Sequence, residues 1–201
     1  MSAFKIEFDQ NQLKDVERAI AGAGGSPPKV VSRAVNKTMT GIRTDATTEI
    51  GAILNLKKSR IRDDFKIKKM SMQTMTGNIS STGKPVGLIN FGAKKVSKGV
   101  SVQVKKTKPR STLYHAFITT AKGAENVFSR AYRGARATVR PGFAYGRLPR
   151  LYRFPIERLT GPRIQDIYDD PAVMGAVLKK ADTRLKTNLS HEMDYELSKL
   201  K

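Results

Sequence analysis

The sequence predicts an α+β fold: N-terminal helices including one long helix, a central small antiparallel β-sheet or partial barrel, an extended Arg/Gly-rich arm, and a C-terminal helix. Three observations carry this expectation. Apolar residues recur at three- and four-residue steps over 27–54 and again over 171–199, the spacing of one buried helix face. Between these segments, 65–132 breaks into short runs of strand-forming residues separated by turn residues. Helices and strands are thus grouped along the chain, which favours α+β over alternating βαβ units.

Each element follows from local chemistry. Phe4, Ile6 and Phe8 alternate with polar residues, which predicts a half-buried strand over 3–8. Asp9 is placed to cap a helix over 10–21 that carries Leu13, Val16 and Ile20 on one face. The run Gly22-Ala23-Gly24-Gly25 stops it, and Pro27 and Pro28 suit the first turn of a new helix. That helix, 27–54, carries the stripe Val31, Val35, Met39, Ile42, Ala46, Ile50 and Ile53. A shorter, very basic helix is expected over 57–64.

Strands are expected at 65–70, 72–80, 86–92, 100–106, 113–120 and 126–132, with a hairpin formed by 116–120 and 127–132 across the loop AKGAEN. Residues 133–163 hold four glycines and four prolines, a composition that predicts an extended arm within a single domain spanning 1–201. Asp170-Pro171 then starts the last helix, with Met174, Leu178, Ala181, Leu185, Leu189, Met193 and Leu197 as its apolar stripe.

A chain of 201 residues can bury one real core, and its apolar share of 39% makes that core modest. The absence of cysteine excludes disulfides and thiolate metal sites. No apolar run is long enough to cross a membrane as a helix, and the opening MSAFKIEFDQ lacks a signal-peptide pattern, so synthesis in the cytoplasm is expected.

The net charge of +21 is unevenly placed. Residues 1–56 and 164–201 are nearly neutral at +1 and −1, whereas 57–83 carry +5 and 84–163 carry +16. Charge so concentrated repels itself and calls for a polyanion or an acidic protein surface; a solvated basic face is the alternative reading.

Three basic clusters make up the excess. The first is Lys57, Lys58, Arg60 and Arg62, followed by Lys66, Lys68 and Lys69. The second is Lys94, Lys95, Lys98, Lys105, Lys106, Lys108 and Arg110, on turns and strand edges. The third is arginine only: Arg130, Arg133, Arg136, Arg140, Arg147, Arg150 and Arg153, interleaved with Tyr132, Phe143, Tyr145 and Tyr152. Arginine suits planar, bidentate contacts to phosphate or carboxylate. The aromatics could stack on bases, but use as plugs into a neighbouring subunit is favoured. No base-reading module is present, so any DNA contact is expected to be to the backbone.

Catalytic groups are scarce. His115 lies in an apolar strand candidate, and His191 on the last helix has neither Glu192 nor Asp194 at the i+4 step of a metal-ligand pair, so a surface position is expected. Asp166, Asp169 and Asp170 could in principle hold a cation for a nuclease, but their place at a helix start makes capping the default. Phosphate-loop, dinucleotide and serine-nucleophile motifs are absent. The expectation is therefore no enzyme and no cofactor.

The segment VVSRAVNKTMTGIRTDATTEI (30–50) resembles the opening helix of the prophage minor tail protein Z family, which reads "alNrAvnkt…iRt". The likeness continues through LKKSRIRDDFKI (56–67), PVGLINF (85–91) and AFITTAKGAENVFSRAYRG (116–134). It closes with LPRLYRFPIERLTGPRIQDIY (148–168), similar to the family's "lPI.eL.GPs.p". The Arg/Gly/aromatic stretch 133–153 departs from the pattern, where a shorter link is expected.

The resemblance implies a structural protein of a tailed-phage virion, acting late in tail assembly or at the head–tail joint. The strand, helix and long helix of the opening also look like the wider group of phage neck and tail-completion proteins, which implies a homo-oligomeric ring, commonly hexameric, with neighbouring tail, neck or connector proteins as partners. Closed rings arise from head-to-tail contacts, and a ring around packaged double-stranded DNA would account for a basic middle between neutral ends. A cytoplasmic, non-specific nucleic-acid-binding protein is the alternative.

Overall fold

The computed structural model describes residues 3–6, 18, 26–74, 76–121, 123–130 and 156–199. The chain divides into two compact units, one made of Met1–Gly51, Lys58–Lys84 and Arg163–Lys201, the other of Ala52–Lys57 and Pro85–Pro162. The α+β class is as expected, with small antiparallel sheets and no closed barrel.

The first unit is built on helix α1, Pro27–Ile53. Its predicted stripe is buried from Val31 to Ile50, and Ile53 is half-buried. Each such aliphatic side chain contributes about 2 kcal/mol by leaving water. A short helix α2, Lys58–Arg62, buries only Ile61. Strands β1 (Ala3–Ile6), β2 (Phe65–Lys68) and β3 (Gly77–Ser81) form a sheet in the order β1-β3-β2, with Phe4 opposite Ile79 and Ile67 opposite Ile79 on the other side. Gly77 lets β3 pass close to Met39; a Cβ there would lie 2.7 Å from the sulfur and displace the end of that side chain. The strand expected at 72–80 starts late because Ser71 and Thr74 close a turn through their hydroxyls, 2.9 Å apart. Of the helix expected at 10–21, only Arg18 lies among the described residues; it is helical and exposed.

Helices α3 (Ile164–Tyr168) and α4 (Pro171–Ser198) complete this unit. Tyr168 packs edge-on against Phe65 at 5.4 Å between ring centres. The apolar stripe expected on α4 is corrected here. Leu178 is 44% exposed, the rest of the stripe is half-buried, and the buried residues of α4 are Val173, Val177, Glu192 and Glu196. Hydropathy misjudged the face because α4 meets a charged flank of α1. Lys37 and Arg33 pair with Glu192, and Lys29 and Arg33 with Glu196. Further along, Asn188 donates to Thr38 at 2.9 Å, Arg184 pairs with Asp45, and Lys180 with Glu49. The sign of charge reverses along both helices, so only one antiparallel register matches every pair.

In the second unit, β4 (Pro85–Gly87) leads into a 3₁₀ turn at Leu88–Phe91, which replaces the second half of the strand expected at 86–92. The turn ends on Gly92 in the left-handed region, φ 63°. Strands β5 (Lys94–Val96), β6 (Gly99–Val102) and β7 (Ser111–Tyr114) form one sheet in that order. All of β5 is exposed, so it carried no alternating apolar signal and was not anticipated. The strand expected at 113–120 is two strands, broken where His115 adopts φ 65°.

Strands β8 (Phe117–Ala121) and β9 (Ala124–Arg130) form the expected hairpin, but its turn is tighter than AKGAEN, with Ala121 opposite Ala124 and Gly123 at φ 77°. Part of the expected arm is strand: β10 (Ile156–Arg158) pairs with β9, Ile156 opposite Arg130, and β11 (Thr160–Arg163) pairs with β4. These pairings are long-range, so the local Gly/Pro content concealed them. The remainder of the arm, 133–155, lies outside the described residues. The core of this unit is Val86, Leu88, Phe91, Val100, Val102, Val127 and Phe128. The segment 52–57 joins it through backbone bonds from Asn55 to Val104 and from Lys106 to Ile53, both 2.9 Å.

Candidate functional site: the basic surfaces

The structure distributes the first cluster along α2 and β2. Lys57, Lys58, Arg62, Lys66, Lys68 and Lys69 are exposed and Arg60 is half-buried. This follows from alternation: Ile61 and Phe65 turn inward, so their basic neighbours turn out.

The second cluster lies in the second unit. Lys94 and Lys95 stand on β5, Lys98 sits in the turn to β6, and Lys105, Lys106 and Lys108 follow β6; all six are exposed. No ion pair joins Lys94, Lys95, Lys98, Lys105 or Lys108 to a carboxylate among the described residues. Arg110 is occupied within the unit. Its Nη2 donates to the carbonyls of Gly92 at 2.6 Å and Ser101 at 2.9 Å, and its Nε to Ser101 Oγ at 3.1 Å. It braces the sheet as well as adding charge.

Of the third cluster only Arg130 is described. Arg133, Arg136, Arg140, Arg147, Arg150 and Arg153, with their interleaved aromatics, lie outside the described residues. Arg130 ends β9, half-buried, with its guanidinium 5.5 Å from the centre of the Phe117 ring. It lines a recess of about 510 Å³ together with Lys95, Lys98, Tyr114, His115 and Phe117. Sequence reasoning placed the lysines and Arg130 in different clusters; the fold sets them around one recess, although β5 and β9 belong to different sheets. Tyr114 was missed as a site residue, and its 60% exposure on a strand is visible only in the fold.

The remaining candidates take structural places. Asp170 accepts from the backbone N–H of Ala172 at 2.9 Å and caps α4, and Asp166 accepts from that of Arg163 at 3.4 Å. Gln165 donates to Asp169 at 3.5 Å. His191 is exposed on α4. Among the described residues no cluster of three or more His, Asp or Glu could hold a metal ion, and no helix is long and apolar enough to cross a membrane.

Fold and surface together define a small α+β protein with exposed basic residues in each of its two units. By sequence profile the chain belongs to the prophage minor tail protein Z family, which it matches over residues 13–201, and so to the structural proteins of phage tails. No curated protein and no solved structure matches it.

Proposed function

We propose that this tail protein acts at the tail end that meets the head, as a tail-completion or neck subunit in a ring, with its basic surface facing DNA or acidic neighbours. The observation that carries this reading is the placement of charge. The second unit holds 17 Lys/Arg against two Asp/Glu, a net of +15 out of +21. A surface of this kind is stabilised by a polyanion or a strongly acidic protein.

The test is a phage lacking the gene. Heads and tails should accumulate unjoined, or join into non-infectious particles; normal infectious particles would end the reading. Mass spectrometry of purified virions separates it from a cytoplasmic nucleic-acid-binding role, which requires the protein to be missing from particles. If Arg133, Arg136 and Arg140 meet phosphates, reversing their charge should weaken DNA binding and flatten its salt dependence by about one counterion per lost contact.

We also propose that the two units belong to one folding domain. The chain enters and leaves each unit repeatedly, so no single cut separates them. One cooperative melting transition is expected; two separate transitions would contradict it.

A further inference from the structure

The recess beside β5, β7 and β8 in the second unit has the character of a specific socket. We propose that it receives a carboxylate side chain from an extended acidic segment of a neighbouring protein. The proposal deepens the reading of the second unit as a basic, partner-facing surface and rests on it.

Arg130 supplies the chemistry. Its Nη1 is buried and has no hydrogen-bond partner. An unmet guanidinium donor out of water is costly, and a carboxylate meets two such donors at once. Lys95 and Lys98 line the same recess and add two charges that no carboxylate pairs among the described residues. Phe117, half-buried, gives the recess an apolar wall beside the Arg130 guanidinium.

The backbone around the socket is held in uncommon conformations. His115 is the non-glycine residue with positive φ among the described residues, at 65°. Gly99, at φ 147°, lies so close to the Leu113 carbonyl that no Cβ would fit. Strain of this kind gathers where a site must be shaped. It points to a built recess rather than an incidental gap.

The occupant follows from the shape. Duplex DNA presents phosphates on a broad convex surface and hides its base faces, so it offers nothing to an aromatic rim around a recess. A protein segment offers both a single inserting carboxylate and apolar neighbours for Tyr114, 60% exposed, and Val96, 37% exposed. Both β5 and β7 are edges of their sheet, open to pairing with an extended chain.

The test uses the full chain and a short fluorescein-labelled peptide alternating glutamate with phenylalanine and glycine, followed by polarisation. A labelled single-stranded oligonucleotide is the parallel probe. Arg130→Lys, which keeps charge but loses the planar fork, and Lys98→Gln should each weaken the peptide by about tenfold. Lys179→Gln, on α4 and outside the recess, should leave it within about twofold. Oligonucleotide affinity should be unchanged by Arg130→Lys.

Peptide affinity unchanged in both recess variants would overturn the proposal. So would loss of oligonucleotide binding with peptide binding intact, which would assign the recess to nucleic acid. If Arg130→Lys lowers the melting temperature, Lys98→Gln on its exposed turn decides alone. Normal tail joining by both variants would remove the socket while leaving the tail-joint role standing; absence of the wild-type protein from particles would remove that role whatever the peptide does.

Discussion

Glu192 of α4, only 4% exposed at its side chain, is held by Lys37 of α1, whose own side chain is half in water. The acid is the buried partner, and Arg33 reaches it from 4.0 Å. Removing Lys37 therefore leaves a buried carboxylate with a single distant cation. Lys37→Ala should destabilise the protein by about 2 kcal/mol, less than for a fully buried pair, because Lys37 is half in water and Arg33 remains. Glu192→Gln should cost less, since it removes the charge that needs burying. Chemical denaturation of both variants checks the order; equal losses would mean that packing, and not charge, decides this contact.

Asp64 gives a second case. It is 1% exposed, and both the Ser81 and Thr82 hydroxyls donate to its carboxylate. The Thr82 N–H also donates to its backbone carbonyl at 3.0 Å. This knot fastens the end of β3 to the loop after α2. Asp64→Ala strands two hydroxyls and should cost about 2–3 kcal/mol. Asp64→Asn keeps an acceptor and should cost about half as much. Urea midpoints at constant slope measure both; indifference to Asp64→Ala would show the loop to be held by packing alone.

Tyr168 makes a pH prediction. Burial, reinforced by the charge of Asp169, pushes its phenol from the usual 10.0 up to about 12. A raised folded value means that the stability is complete below pH 10, where the phenol is protonated in both states. It is lost between pH 10 and 12, as the unfolded chain releases the proton first. Tyr168 should therefore ionise near pH 12 in an ultraviolet titration, and Tyr168→Phe should delete that step. A titration curve that Tyr168→Phe leaves unchanged above about pH 11 would refute the burial argument.

Much of the local structure was legible because it depends on near neighbours. Pro27 and Pro28 start α1, Asp170 caps α4, and the alternation of Val100 and Val102 marks β6. What escaped was set by partners distant in sequence. β5 has no apolar face of its own and exists by pairing with β6, while Ile156–Arg158 becomes a strand because β9 lies beside it. The face of α4 was misread for the same reason: its glutamates are buried because Lys29, Arg33 and Lys37 await them. The candidate site was half legible, its cations named but its recess unseen.

By itself the sequence determined the class of fold, the position of the charge and the tail-protein family, since these are carried by composition, period and ordered segments. Only the tertiary structure decided which charges are neutralised within the chain and which are not. Lys37 and Arg130 look alike in a charge tally, yet one is paired to a buried glutamate and the other keeps a buried donor unmet. The physical reason is that Coulombic and hydrogen-bond energies fall with distance and with water. They are fixed by where a chain places its groups in space, not by their order along it.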